Sequence, residues 1–356
     1  MLEFVKEKSY YLLGGTIVLI IMLIAISSCS SKNKSYSDIE NDMVVAAKNY
    51  YKVNNDKLPK DEESIKISLN TLIDLEYIKA VVEPENKEKT CEGHVQVKKV
   101  DDKYVYTPFL KCAGSYEPEY LSEKIKNAGQ DEYGNGIYLM DGEYVYRGSD
   151  VKNYVLFNDQ LWRIMLVDSE GDIQLISNYS TDKDYYWENS YNIEEQANVG
   201  VNTNYHNSNI RKSLVEYYQE NFSDESKAKI VPKNLCIGAL SFKENFNRSK
   251  ECNKIQEKEY IGLPRVSDYQ RASLDPNCTN RTQGQCRNHN YLVKSAFIST
   301  WLLNPVEENT YSVFAGYGVV YLDAADKRTV NPVVFITKDT ITSGGIGTKE
   351  EPFILK

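Results

Sequence analysis

From Ser9 to Ser31 the chain runs 23 residues without a charged side chain, around an apolar core at Leu12–Ile26. No other stretch limits the fold so strongly, because roughly 20 apolar residues at 1.5 Å each span a bilayer core as a helix. The same run also fits the apolar region of a signal sequence, at the long end of the usual length of about 7–15 residues. Either way the remaining polypeptide is expected at a membrane surface. Flanking charge does not orient the segment, since Lys6 and Lys8 on one side are matched by Lys32 and Lys34 on the other.

Cysteine usage supplies the orientation. Of seven cysteines, Cys29 closes the apolar run, and the other six fall into three local couples: Cys91 with Cys112, Cys236 with Cys252, and Cys278 with Cys286. An even number in local clusters implies disulfides in an oxidising compartment, with the connectivity left open. The bulk of the chain is therefore expected outside the cell. Ile26-Ser27-Ser28-Cys29 resembles a bacterial lipobox, in which the cysteine becomes the lipidated first residue. Residues 1–31 thus read as an uncleaved single-pass helix or a lipoprotein signal, with Cys29 the candidate lipidation site.

Net charge is −9, with residues 32–118 carrying −2 and residues 119–356 carrying −7 by count. Neither part offers a basic stripe, which disfavours a nucleic-acid partner. Tyrosine is abundant at 28 residues, a composition that suits recognition surfaces and also arises from genome bias.

Tyr36–Asn54 has helical spacing, with Ile39, Met43, Ala46/Ala47 and Tyr50 on one face and Asp38, Glu40, Asp42, Lys48 and Lys52 assigned to solvent. A shorter helix is expected near Leu69–Leu75, opened by Ser68 or Asn70. His94–Val100 and Tyr104–Leu110 read as a hairpin about Asp101-Asp102, with Cys91 and Cys112 at its outer ends. The order of parts, through "AAKNYYKVNNDKLP" and "CEGHVQVKKVDDKYVYTPFLKC", resembles the type IV pilin and pseudopilin architecture. That resemblance implies a pilin-like module over 32–118. A prepilin carries a glutamate inside its apolar helix, whereas Ile17–Ile26 has no carboxylate, so a membrane-fixed relative is the reading taken.

Residues 119–134 read as a linker to an α+β domain over 135–356, giving an α+β chain as a whole. Strands are expected at Gly136–Met140, Glu143–Arg147, Tyr154–Asn158, Leu161–Asp168 and Ile173–Ser177, in an antiparallel meander. Asn207–Phe222 reads as a helix, a second begins at Ser267, and late strands follow at Ala296–Leu303, Val313–Tyr321 and Pro332–Thr337. "YVLFNDQLWRIMLVDSEGDIQLIS", "YHNSNIRKSLVEYY", "GLPRVSDYQRAS", "FISTWLLNP" and "TVNPVVFI" occur in that order. Together they look like a family of uncharacterised bacterial extracellular domains, similar in outline to C-type-lectin-like and formylglycine-enzyme-like domains. The resemblance carries no activity, and it marks Trp162, Ser208, Arg211, Trp301 and Pro332 as residues that hold the fold.

No HExxH, GxSxG, GxxxxGK[ST] or GxGxxG motif occurs, and His94, His206 and His289 lack ligand spacing. No cofactor, metal or catalytic set is expected. Eight-residue spacing in a polar turn suits Cys278 and Cys286 to a structural bridge rather than a redox pair. The candidate ligand surface is the acidic and aromatic run Asp182, Asp184, Tyr185, Tyr186, Trp187 and Glu188. The leading expectation is a non-enzymatic, membrane-anchored cell-surface protein whose outer domain recognises a glycan or protein. Its alternatives are a minor pilin-like component of a pilus or secretion system, and a surface enzyme on carbohydrate or peptide with Asp182, Asp184 or Glu188 in its site.

Overall fold

The computed structural model describes residues 34–356 apart from 61–62, 85, 101, 114–115, 118, 245–247, 279–283, 294–299 and 317–319. The apolar segment Ser9–Ser31 and Cys29 lie outside the described residues. Among those described, no helix is long and apolar enough to cross a membrane. The chain is α+β, with mostly antiparallel strands in several sheets, and it divides into two compact units. The first holds the described residues up to Asp56 with Lys66–Val95 and Pro108–Glu117; the second holds Lys57–Ile65, Gln96–Thr107 and the chain after Glu117.

In the first unit, α1 (Tyr36–Val53) starts where Ser35 Oγ accepts from the Asp38 amide at 3.2 Å while Asp38 Oδ2 accepts from the Ser35 amide at 2.9 Å. This reciprocal cap satisfies two amides that the first turn leaves open. Ile39, Met43, Ala46, Ala47 and Tyr50 are buried, as their spacing predicts. Glu40 is not on the wet side as expected: it is buried, and Tyr116 donates its hydroxyl to Oε1 at 2.8 Å. Helix α2 (Leu69–Asp74) is opened by Ser68, whose Oγ accepts from the Thr71 amide at 3.0 Å. Strands β2 (Glu92–Val100) and β3 (Lys103–Lys111) form the expected hairpin, closed by a Cys91–Cys112 disulfide. A strand not foreseen, β1 (Ser64–Ser68), adds to β2.

The second unit is built on nine strands. The hairpin β5 (Gly136–Met140) and β6 (Glu143–Arg147) turns at Asp141 and Gly142, both at positive φ, the requirement of a two-residue type I′ turn. Then come β7 (Tyr154–Phe157), β8 (Gln160–Val167) and β9 (Ile173–Ser177). Six consecutive residues of β8 from Trp162 are buried, because β6, β7 and β9 all pair with it. The sheet is completed by β17 (Val333–Ile336), β18 (Ile341–Gly344), β19 (Phe353–Leu355) and β4 (Glu119–Tyr120). Only β19 against β7 is parallel among these pairs.

Residues 119–134 are not a plain linker. They carry β4 and helix α3 (Leu121–Lys126), which buries Leu121 and Ile125. Helix α4 (Asn209–Asn221) buries Ile210, Leu214 and Tyr218; α5 (Asp224–Lys229) and a single turn, α6 (Arg248–Glu251), follow. Helix α7 (Val266–Ala272) begins one residue before the expected Ser267, because the Asp268 carboxylate accepts from the Arg265 amide at 2.8 Å. Between α5 and α7 lies the ribbon β11 (Lys233–Cys236) with β12 (Ile255–Glu259), joined by the Cys236–Cys252 disulfide. The expected strand Val313–Tyr321 is two strands, β14 (Ser312–Ala315) and β15 (Val320–Asp323), broken at Gly316 with φ of +63°. They pair with β13 (Trp301–Pro305).

The five residues singled out as fold-holders do hold it. Trp162 and Trp301 are sealed in the core, Ser208 Oγ caps α4 through the Arg211 amide, Arg211 Nε donates to Glu259 at 2.7 Å, and the Pro332 carbonyl accepts from Ser177. The third disulfide is Cys278–Cys286. Peptide mapping without reduction is expected to recover these three local bridges and no others among the six cysteines. Replacing Cys236 and Cys252 together by Ser should lower unfolding stability by about 3 kcal/mol, the chain-entropy value for a loop of this size. Chemical denaturation measures it.

Candidate functional site

The sequence-predicted ligand surface is split by the fold. Trp187 is fully buried, and Glu188, also buried, accepts from the Ser190 amide at 2.8 Å and the Asn209 amide at 3.2 Å. Glu188 therefore anchors the start of α4, where a carboxylate is favoured by the open amides of the first turn. Tyr185 and Tyr186 form β10, paired with β16 (Lys327–Arg328), and the Tyr185 carbonyl accepts from Trp301 Nε1 at 2.8 Å. Only Asp182 and Asp184 are exposed. Burial and the carboxylates of Glu220 and Glu216 push the Tyr185 phenol above its usual range, so this rim is acidic. The six residues do not converge on one cavity.

A different place gathers polar side chains about a cavity. Tyr154, Arg163 and Ile176 stand in register across β7, β8 and β9, on one face of the sheet. They line a cavity of about 310 Å³ with Tyr179, Asn331 and Lys349. Asn178, Ser180, Tyr269 and Thr300 also border it. Trp162, next to Arg163, faces the opposite side and packs against Phe157 and Phe222.

Arg163 is 5% exposed, and no carboxylate among the described residues lies within ion-pair distance of it. Its Nε donates to Asn153 Oδ1 at 2.5 Å and Nη1 to the Tyr154 hydroxyl at 2.8 Å. Asn153 is itself fixed, since its Nδ2 donates to the Ile164 carbonyl at 2.6 Å and its carbonyl accepts the Ile164 amide. The guanidinium carbon lies 3.9 Å from the Tyr154 ring centre and 4.8 Å from that of Tyr291. Burial pulls its pKa below the usual arginine value, and the tyrosines and a more distant Asp150 oppose this. An arginine does not deprotonate in a protein, so a full positive charge is held here. Two aromatic faces and an amide compensate it incompletely. Nη2 makes no hydrogen bond to a described residue, which leaves one edge of the fork uncommitted.

Several buried charges elsewhere in the unit are paired with the opposite sign. Glu143 takes Arg248 Nη2 at 2.8 Å and Arg271 Nη1 at 2.5 Å. Burial alone would raise its pKa, but Arg248 and Arg271 outweigh that and hold it below the usual carboxylate value. Arg265 pairs with Asp268 at 2.9 Å and feels Glu251, whose carboxyl is pushed up by burial. Asp168, Glu170 and Asp172 are the one group among the described residues spaced to hold a metal ion. The Lys233 ammonium already sits among them at 2.8, 2.5 and 2.7 Å.

Sequence reasoning passed over Arg163. The available signal was a cation inside "LWRIMLV", a strand otherwise apolar on both faces. Comparison of the whole chain with family models, curated proteins and solved structures finds no match.

Replacing Glu143 by Gln is expected to cost about 2 kcal/mol at pH 7, below the roughly 3–5 of a fully sealed pair because Arg248 reaches solvent. A depressed carboxylate stabilises above its ordinary pKa and loses that contribution as pH falls through its folded value. The gap between wild type and variant should therefore close as pH drops below about 4.5, read by thermal denaturation across pH.

Proposed function

We propose that this chain is a membrane-anchored bacterial cell-surface protein that binds a ligand rather than transforming it. Residues 1–31 would provide the anchor, residues 32–118 a pilin-like spacer, and the outer α+β unit, lectin-like in outline, the recognition domain. Three local cysteine pairs support an oxidising location. The observation that carries the binding reading is Arg163: a buried cation, held by Asn153 and Tyr154, on the wall of a cavity and without a carboxylate partner among the described residues. Such fixed donors in a small concave site give orientation and specificity to a bound anion. The charge rises out of an acidic chain, so an anionic ligand is favoured at that point and repelled over most of the remaining surface.

Two measurements on intact bacteria test the location. Externally added protease should degrade the outer unit while a cytosolic control survives, and thiol titration of freshly isolated, unreduced protein should find none of the six paired cysteines free. Protection from protease, or six titratable thiols, would overturn the proposal.

A further inference from the structure

We infer that the Arg163 cavity takes the carboxylate of an acidic sugar ring, a hexuronate, seated with its carboxylate on the guanidinium and its ring toward Tyr179. The inference rests on the recognition reading above and specifies its ligand. Three features of the cavity point the same way.

The first is the shape of the charge. A carboxylate is planar and matches a guanidinium edge, and charge-assisted bonds of this kind are the strong ones. Nη2 is the edge left open, while Nη1 and the Tyr154 hydroxyl hold the fork in place. Lys349, exposed at the cavity margin and in no ion pair with a described residue, adds a second positive charge to draw the ligand in. Arg163 and Lys349 are thus two cations without an ion pair to a described residue, bordering one small space.

The second is the aromatic rim. Tyr179 is 62% exposed and lines the cavity, with no ring or cation stacked on it. A large exposed aromatic beside a polar pocket offers a flat apolar face, which suits the C–H face of a pyranose. The third is the polar margin and the size. Ser180 and Thr300 supply hydroxyls, groups that pair with sugar hydroxyls, and the Asn331 amide, whose Nδ2 donates to the Ser177 carbonyl at 3.2 Å, borders them. A volume of about 310 Å³ lies at the low end for ligand pockets, which fits one ring and not an extended chain.

Isothermal titration calorimetry on the full-length chain in detergent decides the matter, with methyl glucuronide, methyl galacturonide, methyl glucoside, acetate and inorganic phosphate as probes. At least one uronide is expected to bind about ten-fold more tightly than methyl glucoside and acetate, the equivalent of one charge-assisted hydrogen bond gained. Arg163→Gln should abolish uronide binding. Because Arg163 also supports Asn153, two milder variants accompany it. Tyr154→Phe and Lys349→Gln, which leave the packing in place, should each weaken the uronide by about three-fold or more, as loss of a bond that positions the guanidinium or of a rim charge would.

Equal affinity for glucoside and uronides would overturn the carboxylate assignment and leave a sugar-binding unit standing. Acetate or phosphate binding as tightly as the uronides would overturn the sugar assignment while keeping an anion site. Binding of none of the probes would overturn both the inference and the cavity as the recognition site.

Discussion

The cross-strand row of Tyr154, Arg163 and Ile176 is the feature on which the second unit's chemistry depends. Burying a cation costs several kcal/mol unless the charge is matched. Here the match is made by two tyrosine rings, one amide oxygen and one hydroxyl, with no carboxylate among the described residues at ion-pair distance. Asn153 makes this geometry rigid. It bonds to the Ile164 backbone on both its side-chain nitrogen and its carbonyl, so Arg163 cannot shift without breaking strand pairing around β8. The site is therefore preorganised by the most heavily buried strand of the sheet.

The contrast within the same unit sharpens the point. Glu143 gathers Arg248 and Arg271, Arg265 is held by Asp268, and Lys233 is surrounded by three carboxylates. In each of these centres the charge meets at least one partner of opposite sign. Lys233 in particular occupies the position that a cation would need among Asp168, Glu170 and Asp172. Arg163 instead has two tyrosine rings, an amide oxygen and a hydroxyl about it, and it lies on the wall of a cavity.

Much of the local structure was legible because short-range physics sets it. Ser68 and Ser208 mark helix starts through hydroxyls that accept from first-turn amides. Asp141-Gly142 fixes the β5–β6 register because both residues tolerate positive φ. What could not be read is what distant residues do to one another. Glu40 looks like a solvent residue until Tyr116, 76 positions later, donates to it. Trp187 and Glu188 look like surface chemistry until Asn209 and the core claim them. The Arg163 cavity draws on residues from Tyr154 to Lys349, so no contiguous motif announces it. The apolar run Ser9–Ser31 is the opposite case: its composition is plain in the sequence, and it lies outside the described residues.

The central claim is that Nη2 of Arg163 is the group that meets the ligand's negative charge. Arginine-selective 15N NMR of the guanidinium resonances, followed while methyl glucuronide is added to saturation, tests it most directly. The account predicts that the Arg163 Nη signals shift and that rotation about its Cζ–N bonds slows as a new bond forms. Unchanged Arg163 signals at full occupancy would place the ligand elsewhere and contradict it.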